Sequence, residues 1–415
     1  MSDIGLLQSL SHKFENVVRD PVWGDIHFDD TLHALTQTAP FQILDGIRQL
    51  GPVSYVYPGA THTRKAHSLG VYYLARRLAL SLLERNQIPF ATPEGLRSFL
   101  VAALCHDLGH YPFAHSLKEL PLTPHEALAG EVVTQEPLWS AILECDADPR
   151  QVAAIIDRDR SNPNDRETLL YRRFLSGVLD PDKIDYLTRD AYFCGVPYGI
   201  QDADFIVRRT IVDEDRLAVD ERGEMSVEAV LFSKYQMYRA VYWHPSVRAA
   251  TSMVKKSVLL ALTQNLIMPE NLYGLDDGGF RNLVAEGNRA VFQPARDAFA
   301  GNFYVLVGEI AYDPDNALHG DLSDLAKRLE AEATLAMAAN LGDLDIVIDI
   351  PEPIDFETDL FVRTKGARVA FSQHSRLFQP EMIQGLVRSL RNIRIFAHRR
   401  ADTASLKGLA KELLT

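Results

Sequence analysis

The sequence predicts a mainly α protein, a helical bundle over residues 1–267 followed by a smaller α+β domain over 268–415. Three observations predict it. Apolar residues recur at helical spacing through most of 62–265, with Leu74, Leu78 and Leu82 marking one buried stripe. One segment, Phe99 to Leu104, is apolar on every side, as a helix inside a bundle must be. Beyond Met268-Pro269 the pattern changes to short β-branched runs separated by helical stretches.

Residues 1 to about 60 read as short strand-like and helical pieces leading into a turn at Pro58-Gly59. Helices are predicted at 66–85, 95–108, 125–135, 150–157, 167–179, 182–193, 202–211 and 227–265. Arg216 to Val227 interrupts them as a β-hairpin with its turn near Gly223. In the second part, strands at 303–307, 345–350 and 392–396 alternate with helices at 321–341, 379–390 and 402–414. Residues 360–371 read as a hairpin turning at Lys365-Gly366. No catalytic constellation occurs there, so packing, oligomerisation or regulation is its expected role.

The chain has 415 residues, 47% hydrophobic and 24% charged, which is ordinary for a globular protein with full cores. No apolar run approaches the roughly 20 residues needed to cross a bilayer, and the N-terminus lacks a signal-peptide layout. Cys105, Cys145 and Cys194 are sparse and lack CxxC spacing, so neither a disulfide framework nor a zinc ribbon is indicated. A cytoplasmic protein without membrane partners is expected. The net charge of −13 argues against a duplex nucleic-acid partner, which would call for a basic face. It leaves room for a nucleotide, whose phosphates need only a few local cations.

The chemistry concentrates between residues 106 and 115, His106-Asp107-Leu-Gly-His110-Tyr-Pro-Phe-Ala-His115. Imidazole nitrogen and carboxylate oxygen suit a divalent cation such as Mn, Fe, Co, Ni, Zn or Mg. The adjacent His-Asp pair can serve one ion if the backbone splays both side chains inward. Further ligands must come from elsewhere. Upstream, His67 lies near the start of the 66–85 helix, in Thr-His62-Thr-Arg64-Lys-Ala-His67. Downstream, Asp182, Tyr186 and Asp190 are spaced i, i+4, i+8 and line one side of a helix that admits Pro181 at its first turn. Spacing alone reads that side as an exposed polar face.

Taken in order, His67, His106-Asp107 and Asp182 resemble the pattern of the HD superfamily of metal-dependent phosphohydrolases. More closely, the chain resembles the branch of deoxynucleoside triphosphate triphosphohydrolases, whose mammalian member joins a sterile alpha motif to an HD domain. The likeness runs from Asp20-Pro-Val-Trp-Gly to about Pro245 and includes Pro40-Phe-Gln, Arg48-Gln-Leu-Gly51, Tyr57-Pro-Gly-Ala, His125-Glu126 and Asp182-Lys-Ile-Asp-Tyr. It implies a helical HD domain with His67, His106, Asp107 and Asp182 as metal ligands and an open coordination position, the mark of a catalytic metal. A second Mg could be held largely by a triphosphate.

By the same resemblance, His110 would contact phosphate, His115 the reacting water or ester oxygen, and His125 the leaving group. Arg64, Lys183 and Lys234 would meet phosphate oxygens. Tyr186, Tyr238 and Tyr242 would wall the base and sugar; from spacing alone, Lys234, Tyr238 and Tyr242 read as a solvated stripe rather than a pocket. Gln49 and Asp190 would hold the 3′-hydroxyl. Leu50 would occupy the space of a ribose 2′-hydroxyl, or simply pack in the core. One departure stands out: where the family often has an acid three residues after the third histidine, this chain has Lys118, with Glu119 beside it.

The expected activity is hydrolysis of a deoxynucleoside triphosphate to deoxynucleoside and inorganic triphosphate. A broader nucleotide or phosphate-ester phosphohydrolase and a nucleotide-binding regulatory module are the alternatives. A homo-oligomer is expected from the resemblance. Gln37 and Asp45 stand where the mammalian member reads an activating guanine nucleotide, and a carboxylate there is a poor match to a polyanion.

Overall fold

The computed structural model describes residues 14–286 and 289–414; the part of the strand-like reading that falls on residues 1–13 lies outside the described residues. Helices dominate, with three small sheets. An N-terminal hairpin, β1 (Asn16–Asp20) and β2 (Gly24–Phe28), leads through short helices to the bundle. The bundle comprises α1 (Arg64–Glu84), α2 (Pro93–Cys105), α3 (His125–Val132), α4 (Pro149–Ile156), α5 (Arg166–Leu175) and α6 (Pro181–Cys194). Every residue of α2 from Gly95 to Cys105 is buried, Cys105 included, as its all-round apolar sequence requires. Both α1 and α6 pack with α1 central, against α2 on one side and α6 on the other.

The hairpin predicted over 216–227 does not form: its first half, Arg216–Asp220, is the second strand of an earlier hairpin, and its second half is helical. Strands β3 (Thr210–Asp213) and β4 (Arg216–Asp220) are joined by Glu214 and Asp215, both with positive φ (47° and 62°). Two such residues make the turn whose twist matches antiparallel strands. Gly223 instead precedes α7 (Glu224–Met237). The single helix expected over 227–265 is two. A wide turn at Tyr238–Tyr242 follows α7, and α8 (Pro245–Thr263) begins after His244, whose extended backbone is what a residue before proline adopts. Helices at Leu138–Glu144, Asp277–Glu286 and Gln293–Phe299 were not predicted.

The C-terminal part supplies β5 (Val305–Ala311), β6 (Ile346–Asp349), β7 (Phe361–Arg363), β8 (Arg368–Ala370) and β9 (Asn392–Ala397). Its helices are α9 (Leu325–Ala338), α10 (Pro380–Leu390) and α11 (Thr403–Leu414). The helix predicted over 321–341 is divided at Asp324, an extended residue whose side chain caps α9. Strands β5 and β6 flank β9 in an antiparallel sheet, while β7 joins β4 in parallel, so the C-terminal chain completes a sheet begun by β3 and β4. Between β6 and β7, residues 351–360 cross back to the bundle without regular structure, seated by buried Ile354, Phe356 and Leu360. No helix among the described residues is long and apolar enough to cross a membrane.

Candidate metal centre and histidine cluster

Helix ends build this site. Thr63 caps α1 by accepting from the Ala66 amide, which fixes Arg64 and His67 in the first turn. Asp180 caps α6 through the Lys183 amide, placing Asp182 and Asp185 in its first turns. His106 and Asp107 leave the C-terminal end of α2. The His106 Nδ1 sits 2.9 Å from the Ala103 carbonyl, so its Nε2 is the nitrogen turned toward the site. That Nε2 is buried and has no hydrogen-bond partner.

The four side chains converge. His67 Nε2 lies 3.0 Å from Asp182 Oδ1 and 3.9 Å from Asp107 Oδ2; His106 Nε2 lies 3.4 Å from Asp107 Oδ1 and 4.0 Å from Asp182 Oδ1. Donors bound to one ion at about 2.0–2.2 Å stand about 3–4 Å apart; His67, His106 and Asp107 cluster closely enough to hold one divalent cation, and Asp182 stands against both histidines as the further donor. The orphaned His106 nitrogen is the independent sign that a partner belongs there. Burial disfavours a charged imidazole, yet hydrogen bonds donated by His67 to the Asp182 and Asp185 carboxylates raise it to about 10. This point in the protein therefore calls for a cation, and binding a metal displaces a proton. Burial works against ionisation of Asp107 too, but His110, His106 and Arg64 together hold it well below the usual carboxylate range.

Beside this set, His110, His115 and His125 form a second cluster. The rings of His110 and His125 stack 3.8 Å apart at 16°, and His115 meets His125 edge-on at 5.1 Å. Near-parallel rings aim their in-plane lone pairs along parallel lines, so these two cannot share one ion in this arrangement. Burial, reinforced by Arg64, lowers His110 to about 4; the half-buried His125 and the more exposed His115 are shifted in the same direction by the partial burial of their rings and by neighbouring imidazoles. All three are neutral at pH 7 and able to accept a proton. His110 Nε2 lies 3.1 Å from Asp107 Oδ1, close but not aligned as a hydrogen bond, which links the two clusters. Gly109 permits the approach, since a Cβ there would stand 1.9 Å from the His125 carbonyl oxygen.

The other predicted residues divide into two groups. Arg64 is buried and donates to Asp107 Oδ2 at 2.7 Å, leaving its Nε without a partner. Residues 47–50 run antiparallel to 62–64 through the Arg48–Thr63 bridge and the Gln49 amide to His62 carbonyl bond, which brings Gln49 and Leu50 beside the start of α1. Gln49 Oε1 is buried and unpartnered, whereas Leu50 packs half-buried on the main core. Tyr186 packs half-buried on the main core, its hydroxyl pushed well above its usual range by burial. Tyr242 donates to Asp190 Oδ2 at 2.6 Å and meets Tyr238 edge-on at 5.0 Å.

Lys183 and Lys234 are brought elsewhere. Lys183 Nζ bonds Asp180 Oδ2 (2.8 Å), the Gly177 carbonyl (2.9 Å) and Glu357 Oε2 (2.9 Å). Lys234 Nζ donates to the Asp355 carbonyl at 2.6 Å. Both cations expected at phosphate are engaged by the 351–360 segment, which no local sequence pattern connects to them. Glu119 turns away from the histidines to Lys255 (2.5 Å) and Arg328 (3.2 Å), so it does not stand in for an acid at position 118.

Sequence reasoning missed the support behind the site. Asp185, fully buried, accepts from Arg189 Nε and Nη2 at 2.9 Å and from Trp23 Nε1 at 2.5 Å, and lies 2.7 Å from His67 Nδ1. Arg189 also reaches Asp20 at 2.7 Å. The i, i+4 spacing of Asp185 and Arg189 was the available signal. Gly70, one turn beyond His67, makes room for that pair: a Cβ there would be 1.9 Å from Asp185 Oδ1. His62, stacked on Phe193 and 2.8 Å from Asp190 Oδ1, gave no signal, because 128 residues separate the partners.

Residues 64–189 match the HD domain and residues 201–414 the HD-associated region. The chain is 35% identical over 245 residues to the uncharacterised protein YwfO of Bacillus subtilis, covering 58% of this chain and 55% of that one. It is 27% identical over 278 residues to the deoxynucleoside triphosphate triphosphohydrolase SAMHD1 of Bos taurus, 59% of this chain and 47% of that enzyme. It spans about half the length of the curated relatives it matches. A hypothetical protein from Aquifex aeolicus superposes with a TM-score of 0.72 at 27% identity, over 96% of this chain and all of the other. A phosphohydrolase from Bacteroides thetaiotaomicron, 22% identical and matched over 92% of this chain and 100% of its own, shares the fold at the same TM-score of 0.72. With its His and Asp donors set on the ends of buried helices and both parts of the chain matched, the protein belongs to the family in which an HD domain is joined to the HD-associated region.

Proposed function

We propose that this chain hydrolyses deoxynucleoside triphosphates to deoxynucleoside and inorganic triphosphate. The observation that carries the reading is the juxtaposition of a four-donor site with three neutral histidines, linked through Asp107. A bound divalent metal would polarise a phosphoryl oxygen and acidify water. The chain's own groups then have distinct tasks. His67, His106, Asp107 and Asp182 hold the ion, and a second Mg would arrive with the triphosphate. Arg64 orients a phosphate oxygen from its unpartnered side. Among the three histidines, His115 is the most exposed and accepts a proton from the attacking water, while His110 and His125 contact phosphate and leaving group.

The sugar is read by Gln49, whose buried oxygen lacks a partner, and by Leu50, whose apolar side would leave a 2′-hydroxyl unpaired. The similarity to deoxynucleoside triphosphate triphosphohydrolases of Dictyostelium discoideum and Bos taurus supports this choice of substrate. A second reading, hydrolysis of shorter phosphate esters, is favoured by one observation: Lys183 and Lys234 are already engaged. Incubating the protein with each dNTP and NTP under several divalent metals, with chromatography of the products, separates the two. Intact triphosphate supports the first; stepwise orthophosphate removes it. We place the working form as a homo-oligomer, which light scattering tests.

A further inference from the structure

We propose that Lys118 is the cation that reads the polyphosphate at the mouth of the histidine cluster; this rests on the reading above that the site takes a polyanion. Lys118 continues the helical backbone (φ −56°, ψ −29°) of the short helix at Ala114–Leu117. On a helix of three residues per turn, positions i and i+3 eclipse. His115 and Lys118 therefore lie one above the other, and both are exposed while Ala114 and Leu117 are buried. The exposed side of His115 is the solvent side of the cluster, because its ring packs on His110 and His125 behind it.

Charge bookkeeping at the site points the same way. Arg64 is committed in part to Asp107, Lys183 to Asp180 and Glu357, and Lys234 to the Asp355 carbonyl. Glu119, the acid nearest in sequence, is drawn off by Lys255 and Arg328. Lys118 is left with no hydrogen bond or ion pair among the described residues. Its charge is one of those that keep the His115 imidazole neutral, as expected of an ammonium close by. An unpaired compact cation above a neutral base suits a phosphate oxygen, and its four-carbon stem lets it follow phosphates of different length.

The test is binding of inorganic tripolyphosphate to the full metal-loaded chain by calorimetry, with metal content measured in parallel. A hydrogen bond to a charged partner implies a loss on the order of ten- to a hundredfold in affinity for Lys118→Ala. Lys118→Arg should retain affinity, Lys118→Glu should lose more than Ala, and none should change metal content or melting temperature. Unchanged affinity in Lys118→Ala overturns the proposal. A gain in affinity on Glu357→Gln with Lys118→Ala unaffected also overturns it, giving the role to Lys183 once the 351–360 segment is displaced. The two readings fail separately. Lys118-dependent tripolyphosphate binding without turnover of any dNTP would remove the proposed activity and keep this site. Turnover of dNTPs with tripolyphosphate affinity indifferent to Lys118 would do the reverse.

Discussion

Replacing Asp185 by Asn perturbs the centre without touching an ion ligand. The carboxylate lies 2.7 Å from His67 Nδ1 and takes two donors from Arg189 and one from Trp23, all in a fully buried position. By fixing the proton on Nδ1 it leaves the Nε2 lone pair for the site. An amide offers one acceptor oxygen where the carboxylate offers two, and its NH2 must face one of the donors. Loss of such a supporting carboxylate typically weakens metal affinity by about 10–100-fold, or about 1.4–2.7 kcal/mol. Arg189 loses its nearer partner as well. Breaking a buried pair costs about 3–5 kcal/mol, and the retained 2.7 Å bond to Asp20 puts this variant at the lower end. The two effects separate on titrating Mn with calorimetry and melting the protein with and without metal. We expect a lower metal-free melting temperature, weaker binding, and activity that returns in part at high metal; at a hundredfold excess over its Kd, metal restores about 2.7 kcal/mol. A folded Asp185→Asn protein with wild-type metal affinity would refute the reasoning.

Asp107→Ala should abolish metal binding and turnover together, because it removes the oxygen donor shared with Arg64 and His110; full occupancy with normal activity would defeat the donor assignment. Gly70→Ala should destabilise the fold by about 1–3 kcal/mol through overpacking against Asp185 and Arg189, seen as a shift of the urea midpoint with unchanged slope. Leu50→Ala should raise turnover of NTPs relative to dNTPs; wild-type protein that hydrolyses ATP as readily as dATP would remove the sugar reading. Rates on one dNTP should not require GTP. Asp45 is tied to Lys65 at 3.7 Å and Thr63 at 3.3 Å, and a strict GTP requirement lost on changing Gln37 or Asp45 would overturn that expectation.

What could be read from the sequence follows the range of the interactions that place each residue. His67, His106, Asp107 and Asp182 are set by caps and helix ends within four residues of themselves, namely Thr63, the end of α2 and Asp180, so the short ordered motifs that carry the family resemblance were legible, although spacing alone read Asp182 as part of an exposed face. The same holds for the all-apolar α2 and for the turn at Lys365-Gly366. The errors arise where local preference is overruled or is silent. Periodicity runs unbroken through 227–265, but Pro245 forces His244 out of the helical region and ends the pattern's authority. Gly223 looks like a turn residue, yet Glu214 and Asp215 make the turn, both in the left-handed region that a two-residue hairpin loop requires. Lys183 and Lys234 carry the residue type a phosphate site needs, and nothing within ten positions hints at Glu357 or Asp355. Lys183 also has local partners in Asp180 and Gly177, but Glu357 and Asp355 come from a segment more than 120 residues away that packs on the bundle through Ile354, Phe356 and Leu360. Burial of three apolar side chains outweighs what any exposed ion pair contributes, so apolar packing, not charge, decides which cations stay free. Lys118 is free for the complementary reason. Its neighbour Glu119 is claimed by Lys255 and Arg328, and position 118 lies on the exposed side of its helix.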